Sequence, residues 1–517
     1  MAKSKIAKTS LVIAGPGAGK THNMVEEIIS HLPQLHPCRF MAVVTHTNSA
    51  TNNIKKRLAN KISVPPNLFV GTIHAFLNKF IVIPFSSFGD RKVGIDKMFM
   101  QFGINDLFQQ IEKDKPKAQR CSTFQEKATV KKNIKNSMNA KGYITFDQTL
   151  SIAKESMEKD KICQLVANRL QFLFVDEFQD TGTEVFLILE RLRKLNLTKI
   201  YCVGDPEQYI LSFDSSIKMF NNIPILKAAT SSNYDVQFNS SNFRCGSKIV
   251  TFLNHFNKRV LNSEAFQQIA KSKNDAPSVA GYDVLFIRET LDVKPIVEKF
   301  NDICEQSSIV VGNRCLIAKS NAVIAKITAV LNNRYMNPKK DSFSSPFKII
   351  QDVLLYTLGL NSSQFCKKHG WTPHDLRKLT IELFHQIRKG AIASENAFGN
   401  YIKDHHDLIM VEKLTVKIEN LKFDYVVSED NSNVMTVANI HTIKGMEHEA
   451  VLVIARNEEE LLGWIETDRI KRDEDKDDVC RLGYVAFSRA ERLLCIACLE
   501  NVSLETQRIL NKLGVLL

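Results

Sequence analysis

Short apolar runs rich in β-forming residues alternate along this chain with longer segments of helical periodicity. Such alternation is typical of βαβ units, whose parallel strands form a sheet with helices on both faces. The first series of runs comprises residues 11–13, 40–44, 68–70, 172–175 and 200–203. The second comprises residues 284–287, 309–311, 316–318, 434–437, 451–454 and 493–497. The sequence therefore predicts an α/β protein with two lobes, each built on a doubly wound parallel sheet.

Each series is interrupted by a helical, polar stretch, which we expect to form an insertion in its lobe. Thr372-Pro373-x-Asp375 predicts the start of a helix in the second insertion. The charged run at residues 471–478 has the composition of a solvated loop. The predicted domains are 1–85 with 166–245 (first lobe), 86–165 (its helical insertion), 246–341 with 429–517 (second lobe) and 342–428 (a reduced helical insertion).

The composition of the 517 residues is that of a globular protein, with 44% hydrophobic and 24% charged residues. No apolar run approaches the roughly 18 residues that span a bilayer, so we expect a cytoplasmic protein without a membrane partner. Lys and Arg outnumber Asp and Glu by 69 to 56, which favours a polyanion such as nucleic acid as the partner. The one C-x-x-C pair, Cys495 and Cys498, lies in an apolar run, so we interpret it as packed strand residues rather than zinc ligands.

Residues 14–21 read AGPGAGKT and stand between a predicted strand and a predicted helix. Small residues let backbone N–H groups wrap around phosphates, Lys20 can reach the β and γ oxygens, and the Thr21 hydroxyl can bind Mg²⁺. A glycine-rich turn that binds nothing is the alternative, and the order of strand, loop and helix argues against it. The predicted nucleotide-binding loop consists of Ala14, Gly15, Pro16, Gly17, Ala18, Gly19, Lys20 and Thr21.

The apolar run at residues 172–175 leads directly into Asp176 and Glu177. Two adjacent carboxylates at the end of a buried strand cost free energy unless a cation meets them. We therefore predict that Asp176 binds the metal together with Thr21, and that Glu177 activates the water that attacks the γ-phosphate. An exposed acidic turn is the less favoured alternative.

These two motifs belong to an ordered series that covers nearly the whole chain. The series is AGPGAGKT (14–21), VVTHTNSAT (43–51), VGTIHAF (70–76), VDEFQD (175–180), VGDPEQYI (203–210), NFR (242–244), IHTIKGMEHE (440–449) and YVAFSRA (484–490). With these motifs in this order, the chain resembles the superfamily 1A DNA helicases of the UvrD/Rep/PcrA kind. The resemblance implies two RecA-like lobes with helical insertions, and ATP and Mg²⁺ as cofactors.

The same resemblance implies roles for residues outside the phosphate loop. Gln208 would sense the γ-phosphate, Phe243 would stack on adenine and Glu447 would hold the ribose. Arg244 and Arg489 would reach the triphosphate from the second lobe as arginine fingers, which agrees with the charge that phosphoryl transfer develops. The predicted catalytic residues are Lys20, Glu177, Gln208, Arg244 and Arg489.

A second set of polar residues resembles the family positions that hold single-stranded DNA. Hydroxyl and amide groups suit contacts with the sugar-phosphate backbone because they select no base sequence. Phe213 could stack on a base, and a core aromatic is nearly as good an interpretation. The predicted DNA-binding residues are Thr45, Thr47, Asn48, Thr72, His74, Phe213 and His441.

The chain also departs from the family pattern. The glutamine-bearing segment that reads adenine ahead of Ala14 has no counterpart, and Asp214 stands where the family carries an arginine. The second insertion is smaller than the family's, and no room is expected for a fused nuclease. In these respects the chain resembles the compact helicase subunits encoded beside an ATP-sensing nuclease in antiphage systems of the Gabija type.

Two hypotheses from different classes follow. The first is a DNA-dependent ATPase that translocates on single strands, 3′ to 5′ by family analogy, and unwinds duplex DNA that carries a single-stranded tail. The second is a DNA-sensing ATPase subunit that activates or feeds a partner nuclease without processive unwinding. An unrelated kinase or GTPase is disfavoured, because Asn257-Lys258-Arg259-Val260 lacks the Asp of a guanine-reading motif.

Overall fold

The computed structural model divides into two compact units, Met1–Pro338 with Ser432–Leu517 and Lys339–Asn431. The predicted domain boundaries, which are finer than this division, stay predictions. The structure describes residues 8–85, 98–99, 104–113, 115–116, 119–140, 143–144, 146–210, 220–261, 264–271, 283–288, 292–332, 335–336, 346–360, 362–414, 418, 434–475 and 477–517.

Six parallel strands form the first sheet of the larger unit. In chain order they are β1 (Thr9–Ala14), β2 (Phe40–Thr45), β3 (Leu68–Thr72), β4 (Leu170–Val175), β5 (Lys199–Gly204) and β6 (Tyr234–Asn239). Their order across the sheet is β3-β2-β4-β5-β1-β6. All five strands of the first predicted series are present. The sequence analysis missed β6, whose side chains are mostly polar because this edge strand is only partly buried.

A second parallel sheet of six strands lies in the same unit. Its strands are β7 (Val284–Ile287), β8 (Arg314–Ala318), β9 (Tyr335–Met336), β10 (Met435–Asn439), β11 (His448–Ala455) and β12 (Ala490–Cys498). Their order is β7-β12-β11-β8-β10-β9. The prediction of an α/β fold with two parallel sheets is confirmed. Cys495 and Cys498 are free, buried residues of β12, as predicted.

One predicted strand of the second series, residues 309–311, is wrong. Ile309 is buried, but its N–H donates to the Cys304 carbonyl at the end of a helix (2.9 Å). Its carbonyl accepts two hydrogen bonds from the Arg314 guanidinium, at 3.1 and 2.7 Å. A 3₁₀ turn follows at Val311–Asn313. The backbone groups of Ile309 are therefore satisfied locally, and three apolar residues were too short a run to distinguish a buried loop from a strand.

Alternate residues along the strands enter separate cores on the two faces of each sheet. In β4, Leu173 packs into one core, and Phe172 and Phe174 pack into the other. The helices that cover the first sheet are Lys20–His31, Asn48–Ala59, Ile73–Leu77, Phe146–Met157, Asp160–Arg169, Thr183–Leu195 and Pro224–Ala229, and Ile104–Lys113 and Phe124–Ala140 lie in the first insertion. The helices of the second lobe are Ser247–Asn254, Val293–Gln306, Asn321–Val330, Ile440–Ile443, Glu458–Trp464, Arg469–Glu474, Val479–Phe487 and Leu504–Lys512.

Within the described ranges, no helix is long and apolar enough to cross a bilayer.

The smaller unit is helical, with Pro346–Thr357, Ser362–His369, Pro373–Arg388 and Glu395–His406. The helix start predicted at Thr372 is present as a capping box. The Thr372 hydroxyl accepts from the Asp375 N–H (3.3 Å), and Asp375 accepts from the Thr372 N–H (2.9 Å). The helix buries one apolar face, formed by Leu376, Leu379, Leu383 and Ile387.

Candidate active site

The phosphate loop connects β1 to the helix Lys20–His31. Gly17 and Gly19 have φ values of 70° and 71°, a left-handed conformation that favours glycine. Gly19 caps the helix without a side-chain hydrogen bond, so the first N–H groups of the helix can face an anion. The Lys20 ammonium group donates to the carbonyls of Ala14 (3.2 Å) and Gly15 (3.1 Å), which places it over the loop. This arrangement fits a triphosphate.

Asp176 and Glu177 follow β4 directly, and Glu177 adopts a left-handed backbone conformation with φ of 49°. Burial and the adjacent Glu177 carboxylate raise the pKa of Asp176. Burial acts on Glu177 in the same direction, but the positive charges of Lys20, Lys444 and Arg489 outweigh it and lower the pKa of Glu177. Glu177 is therefore ionised, whereas the buried Asp176 carboxylate needs a nearby cation to stabilise its charge. Asp176 and Thr21 thus fit a bound Mg²⁺.

Gln179, which the sequence analysis did not single out, orients the Glu177 carboxylate. Its amide nitrogen donates to Oε2 of Glu177 at 2.6 Å, and its amide oxygen accepts from the Asp205 N–H at 3.0 Å. Gln179 is fully buried. One side chain thus ties the loop after β4 to the loop after β5 and fixes the direction of the Glu177 carboxylate.

Gln208 connects the two lobes. Its amide nitrogen donates to Asp205 Oδ2 (2.9 Å), and its amide oxygen accepts from Arg489 Nη2 (3.2 Å). Arg489 is buried, and its guanidinium also donates to the Val485 carbonyl (2.9 Å) and the Ser488 hydroxyl (2.7 Å). Burial and the nearby Arg244 lower the pKa of Arg489 to about 10, so it remains charged at neutral pH. The structure brings together these two residues, both of which the resemblance places at the triphosphate.

Arg244 lies beside Arg489 and forms an ion pair with Glu447. Its Nη1 donates to the Ser488 carbonyl at 3.1 Å. The Glu447 carboxylate, predicted to hold a ribose, is half exposed and contacts Arg244. The Phe243 ring is 58% exposed, and its N–H donates to the Gly17 carbonyl (2.8 Å). The ring therefore stands next to the phosphate loop with a face open for stacking.

Lys444 makes a second connection between the lobes and was also missed. Its ammonium group donates to both carboxylate oxygens of Asp180, at 2.7 and 2.6 Å, and to the Gln208 carbonyl at 3.0 Å. Both charged residues lie within motifs quoted above, at 440–449 and 175–180. Their position in these motifs was the only sequence feature that could have identified them, because neither residue follows a strand directly.

The charged run at 471–478 is not a solvated loop, and that prediction is wrong. Arg469–Glu474 forms a helix, and Arg472 is buried. Glu207, the neighbour of Gln208, accepts from Arg259 Nε (3.2 Å), Arg469 Nη1 (2.8 Å) and Arg472 Nη2 (3.1 Å). We call these four residues, together with Asp473, which pairs with Arg259 and Arg469, the Glu207 cluster. Burial alone would raise the pKa of Glu207, but its arginine partners lower it well below the usual carboxyl range.

The predicted DNA-binding residues that the structure describes lie at the carboxyl ends of strands. Thr47 and Thr72 cap the helices after β2 and β3, by accepting from the N–H groups of Ala50 (3.1 Å) and Ala75 (3.3 Å). Asn48 and His441 are exposed, and Thr72 and His74 are partly exposed. Phe213 and Asp214 lie outside the described residues.

Thr45 is a buried member of the predicted DNA-binding set. Its side chain is completely buried, and its hydroxyl contacts the Thr47 carbonyl (3.0 Å) and the Thr51 hydroxyl (2.6 Å). In this conformation the Thr45 side chain supports the turn that carries Thr47 and Asn48, and its role in DNA binding stays a prediction. An exposed position cannot be distinguished from a buried turn when a polar residue directly follows a strand.

Comparisons with known proteins agree with this geometry. A family model described as an AAA domain matches residues 2–214. The Gabija protein GajB of Bacillus cereus (strain VD045) is 26% identical over 343 residues, 65% of this chain and 62% of that protein. A probable DNA helicase II homolog of Mycoplasma genitalium is 21% identical over 618 aligned positions, 97% of this chain and 85% of that protein. The ATP-dependent DNA helicase Rep of Buchnera aphidicola subsp. Schizaphis graminum is 25% identical over 343 residues, 53% of this chain and 50% of that protein.

The chain is similar to GajB and to proteins named as DNA helicases, in agreement with the resemblance that its motifs carry. It spans less than two thirds of the GajB relative and about half of the Rep relative. The AAA-domain match covers the part of the chain that contains the phosphate loop, Asp176, Glu177 and Gln208. Arg244, Lys444 and Arg489 lie beyond that match, and the structure places their side chains against the same site.

Proposed function

We propose that this chain is a DNA-dependent ATPase that translocates on single-stranded DNA, 3′ to 5′, and separates duplex DNA. The observation that carries the proposal is the contact of Arg489 with Gln208, because it joins a cation of the second lobe to the γ-phosphate side of the first. A site completed by both lobes can convert ATP binding and hydrolysis into relative movement of the lobes.

The residues divide the chemistry of ATP hydrolysis among themselves. Lys20 and the loop N–H groups hold the phosphates, and Glu177 accepts the proton of the attacking water with its carboxylate oriented by Gln179. Thr21 and Asp176 would hold Mg²⁺, which neutralises charge on the phosphate oxygens when bound. Arg489 and Arg244 stabilise the charge that builds up on the transferred phosphoryl group.

Coupling to DNA would pass through the helix Ile440–Ile443. The helix is capped by Asn439, whose Oδ1 accepts from the Thr442 N–H at 2.9 Å, and it carries the exposed His441. Lys444, the residue after the helix, contacts both Asp180 and the Gln208 carbonyl. A movement of His441 caused by DNA would therefore be transmitted to the ATP site through a few covalent bonds and one ion pair.

A second candidate function is a DNA-sensing ATPase that activates or feeds a partner nuclease in antiphage defence. The similarity to GajB favours it over a solitary helicase. Under this proposal the ATP site works in the same way, but hydrolysis controls the partner rather than processive unwinding. In both cases we propose that the chain works in the cytoplasm on single-stranded and tailed duplex DNA.

ATP turnover with and without single-stranded DNA tests the proposal, with Lys20→Ala as the inactive control. Stimulation by DNA supports a DNA-dependent ATPase, and turnover that DNA leaves unchanged contradicts it. Strand separation on 3′-tailed and 5′-tailed duplexes then tests polarity. Unwinding of the 3′-tailed duplex alone supports the proposed direction, whereas turnover without separation of either duplex favours the second candidate.

A further inference from the structure

Gln268 is a buried glutamine that contacts the phosphate loop. It lies outside the eight motifs quoted above, and its position in the sequence indicates no role. Its amide nitrogen donates to the Pro16 carbonyl at 2.8 Å, and only 4% of the residue is exposed. A Cβ atom at Gly15 would lie 2.5 Å from the Gln268 side chain, so the amide packs directly on the loop backbone. A side chain at position 15 would therefore displace the Gln268 amide from the loop.

The backbone of Gln268 is held rigidly. Its N–H donates to Asn254 Oδ1 and its carbonyl accepts from Asn254 Nδ2, both at 2.9 Å. The following residues, Ile269–Ala270, pair in parallel with Ser241–Asn242. A side chain anchored on both sides can fix the position of the loop that it contacts, because it has little freedom to follow movements of the loop.

Asn242 continues the contact toward Arg244. Its amide nitrogen donates to Gln268 Oε1 (3.4 Å), and its amide oxygen accepts from the N–H groups of Arg244 and Cys245, both at 2.9 Å. Asn242 is fully buried, and a Cβ at Gly17 would lie 2.4 Å from its Oδ1. Two amides thus form an unbroken chain from the Pro16 carbonyl to the backbone of the residue predicted as an arginine finger.

We propose that Gln268 and Asn242 form an amide relay that sets the position of the phosphate loop relative to Arg244. This inference rests on the proposed ATPase function. Both are positioning residues, since they touch the loop and the backbone of Arg244 and not the reacting atoms. The buried glutamine uses a donor on one side and an acceptor on the other, so its loss leaves the Pro16 carbonyl and Asn242 amide unpaired. Misplacement of a catalytic group by about 1 Å can cost roughly 10²-fold in rate.

Gln268→Met preserves the volume of the side chain and removes both hydrogen bonds. The matched control is Gln171→Met at the opposite end of β4, where the amide likewise donates to a carbonyl (Gln34, 2.7 Å) and accepts an N–H (His36, 2.7 Å). We expect Gln268→Met to lower kcat at saturating ATP and DNA by about 10-fold or more, and Gln171→Met to leave it unchanged. Gln268→Glu, which keeps the shape and loses the donor, replaces the methionine variant in all assays if that variant does not fold.

A double-mutant cycle with Arg244→Ala separates positioning from general stability. If the relay acts through Arg244, Gln268→Met costs much less in the Arg244→Ala background than in the wild type. Equal costs in both backgrounds, or a kcat of Gln268→Met equal to that of Gln171→Met, would overturn the proposal. If the wild type shows no DNA-stimulated turnover, the proposed function fails, and the same cycle is measured on the affinity for a fluorescent non-hydrolysable ATP analogue. A non-additive loss of affinity then supports the relay, and an additive or absent loss overturns it.

Discussion

At the scale of single residues, Glu177 is the group whose replacement tests the chemistry most directly. Glu177→Gln keeps the size of the side chain and removes the proton acceptor. We expect turnover to fall by roughly 10²–10⁴-fold, the range of general base catalysis, while ATP binding is retained. Steady-state turnover and equilibrium binding of a fluorescent analogue measure the two effects. Glu298→Gln, on an exposed face of the helix Val293–Gln306, is the control, and near-normal turnover of Glu177→Gln would exclude Glu177 as the base.

Arg489 tests whether the second lobe completes the site. Removal of an arginine finger costs on the order of 10³-fold or more in turnover, and we expect this loss for Arg489→Ala with DNA saturating. Arg492→Ala is the matched control, because Arg492 lies three positions further along β12 and pairs with Glu449 away from Gln208. Circular dichroism verifies that both variants fold. Equal turnover of the two variants would mean that Arg489 supports the structure and not the reaction.

Sequence patterns located the residues that we propose act on phosphate, and they missed those that contact and orient them. Lys20, Asp176 and Glu177 follow strands within motifs, so their neighbours in the sequence suffice to identify them. Gln179 and Gln268 gain their roles from contacts with Asp205 and Pro16, which are distant in the chain. An amide side chain has no charge and no periodicity that would mark it beforehand, so only the folded structure shows its partners.

At the scale of secondary structure elements, the capping box of the smaller unit gives a measurable stability effect. Thr372→Ala removes the acceptor for the Asp375 N–H, and the loss of such a cap costs about 1 kcal/mol. Thr328→Ala is the control, since the Thr328 hydroxyl donates to the Ala325 carbonyl within a helix and caps nothing. Denaturant unfolding followed by circular dichroism compares the variants. A midpoint for Thr372→Ala equal to that of Thr328→Ala would contradict the assigned cap energy.

Most strands could be predicted because strands buried on both faces give continuous apolar runs. The exceptions had physical causes that the local sequence does not contain. Strand β6 lies at an edge and is polar, and Ile309 is buried without pairing because Arg314 binds its carbonyl. The run at 471–478 reads as solvated because its charges are close together, yet Arg472 is buried against Glu207, far away in the sequence. Long-range ion pairs are therefore the main limit of the sequence analysis.

At the scale of the whole molecule, the Glu207 cluster joins the first lobe to the helix Arg469–Glu474 of the second. The pKa of Glu207 is lower in the folded protein than the ordinary value of 4.5, so the unfolded chain binds its proton more readily. Its contribution to stability is therefore complete above about pH 4.5 and is lost as the pH falls below that value. We expect Glu207→Gln to lower the free energy of unfolding at pH 7 by about 3–5 kcal/mol, since it leaves buried arginines without their partner.

The pH dependence separates this effect from a simple loss of packing. The difference in thermal midpoint between wild type and Glu207→Gln should stay constant from pH 7 to about pH 5 and shrink as the pH falls further below 4.5, because the unfolded wild-type chain then binds a proton at Glu207 that the folded protein does not. Glu466→Gln, whose side chain pairs with the exposed Lys471, serves as the control. A difference that stays constant as the pH is lowered well below 4.5 would show that the charge of Glu207 is not what stabilises the cluster.

The last prediction concerns unwinding by the isolated chain. The residues for an ATP-driven cycle are present in both lobes, and the contacts of Gln208 with Arg489 and of Asp180 with Lys444 join them. Duplex separation also requires surfaces that hold the incoming duplex, and the resemblance puts those surfaces in the second insertion, which the sequence analysis predicts to be smaller than in the family. The chain should therefore hydrolyse ATP when DNA is present and separate long duplexes poorly without a partner.

Strand separation of a tailed duplex several helical turns long, under excess trap strand, measures this property, with Glu177→Gln as the hydrolysis-deficient control. Single-turnover conditions matter because rebinding would conceal poor processivity. Efficient unwinding by the isolated chain would contradict the prediction and favour a self-sufficient helicase. ATP turnover without strand separation would instead show that ATP-driven movement and duplex separation depend on different parts of the protein. ATP-driven movement needs only two lobes that close on ATP, whereas duplex separation needs a rigid contact ahead of the lobes.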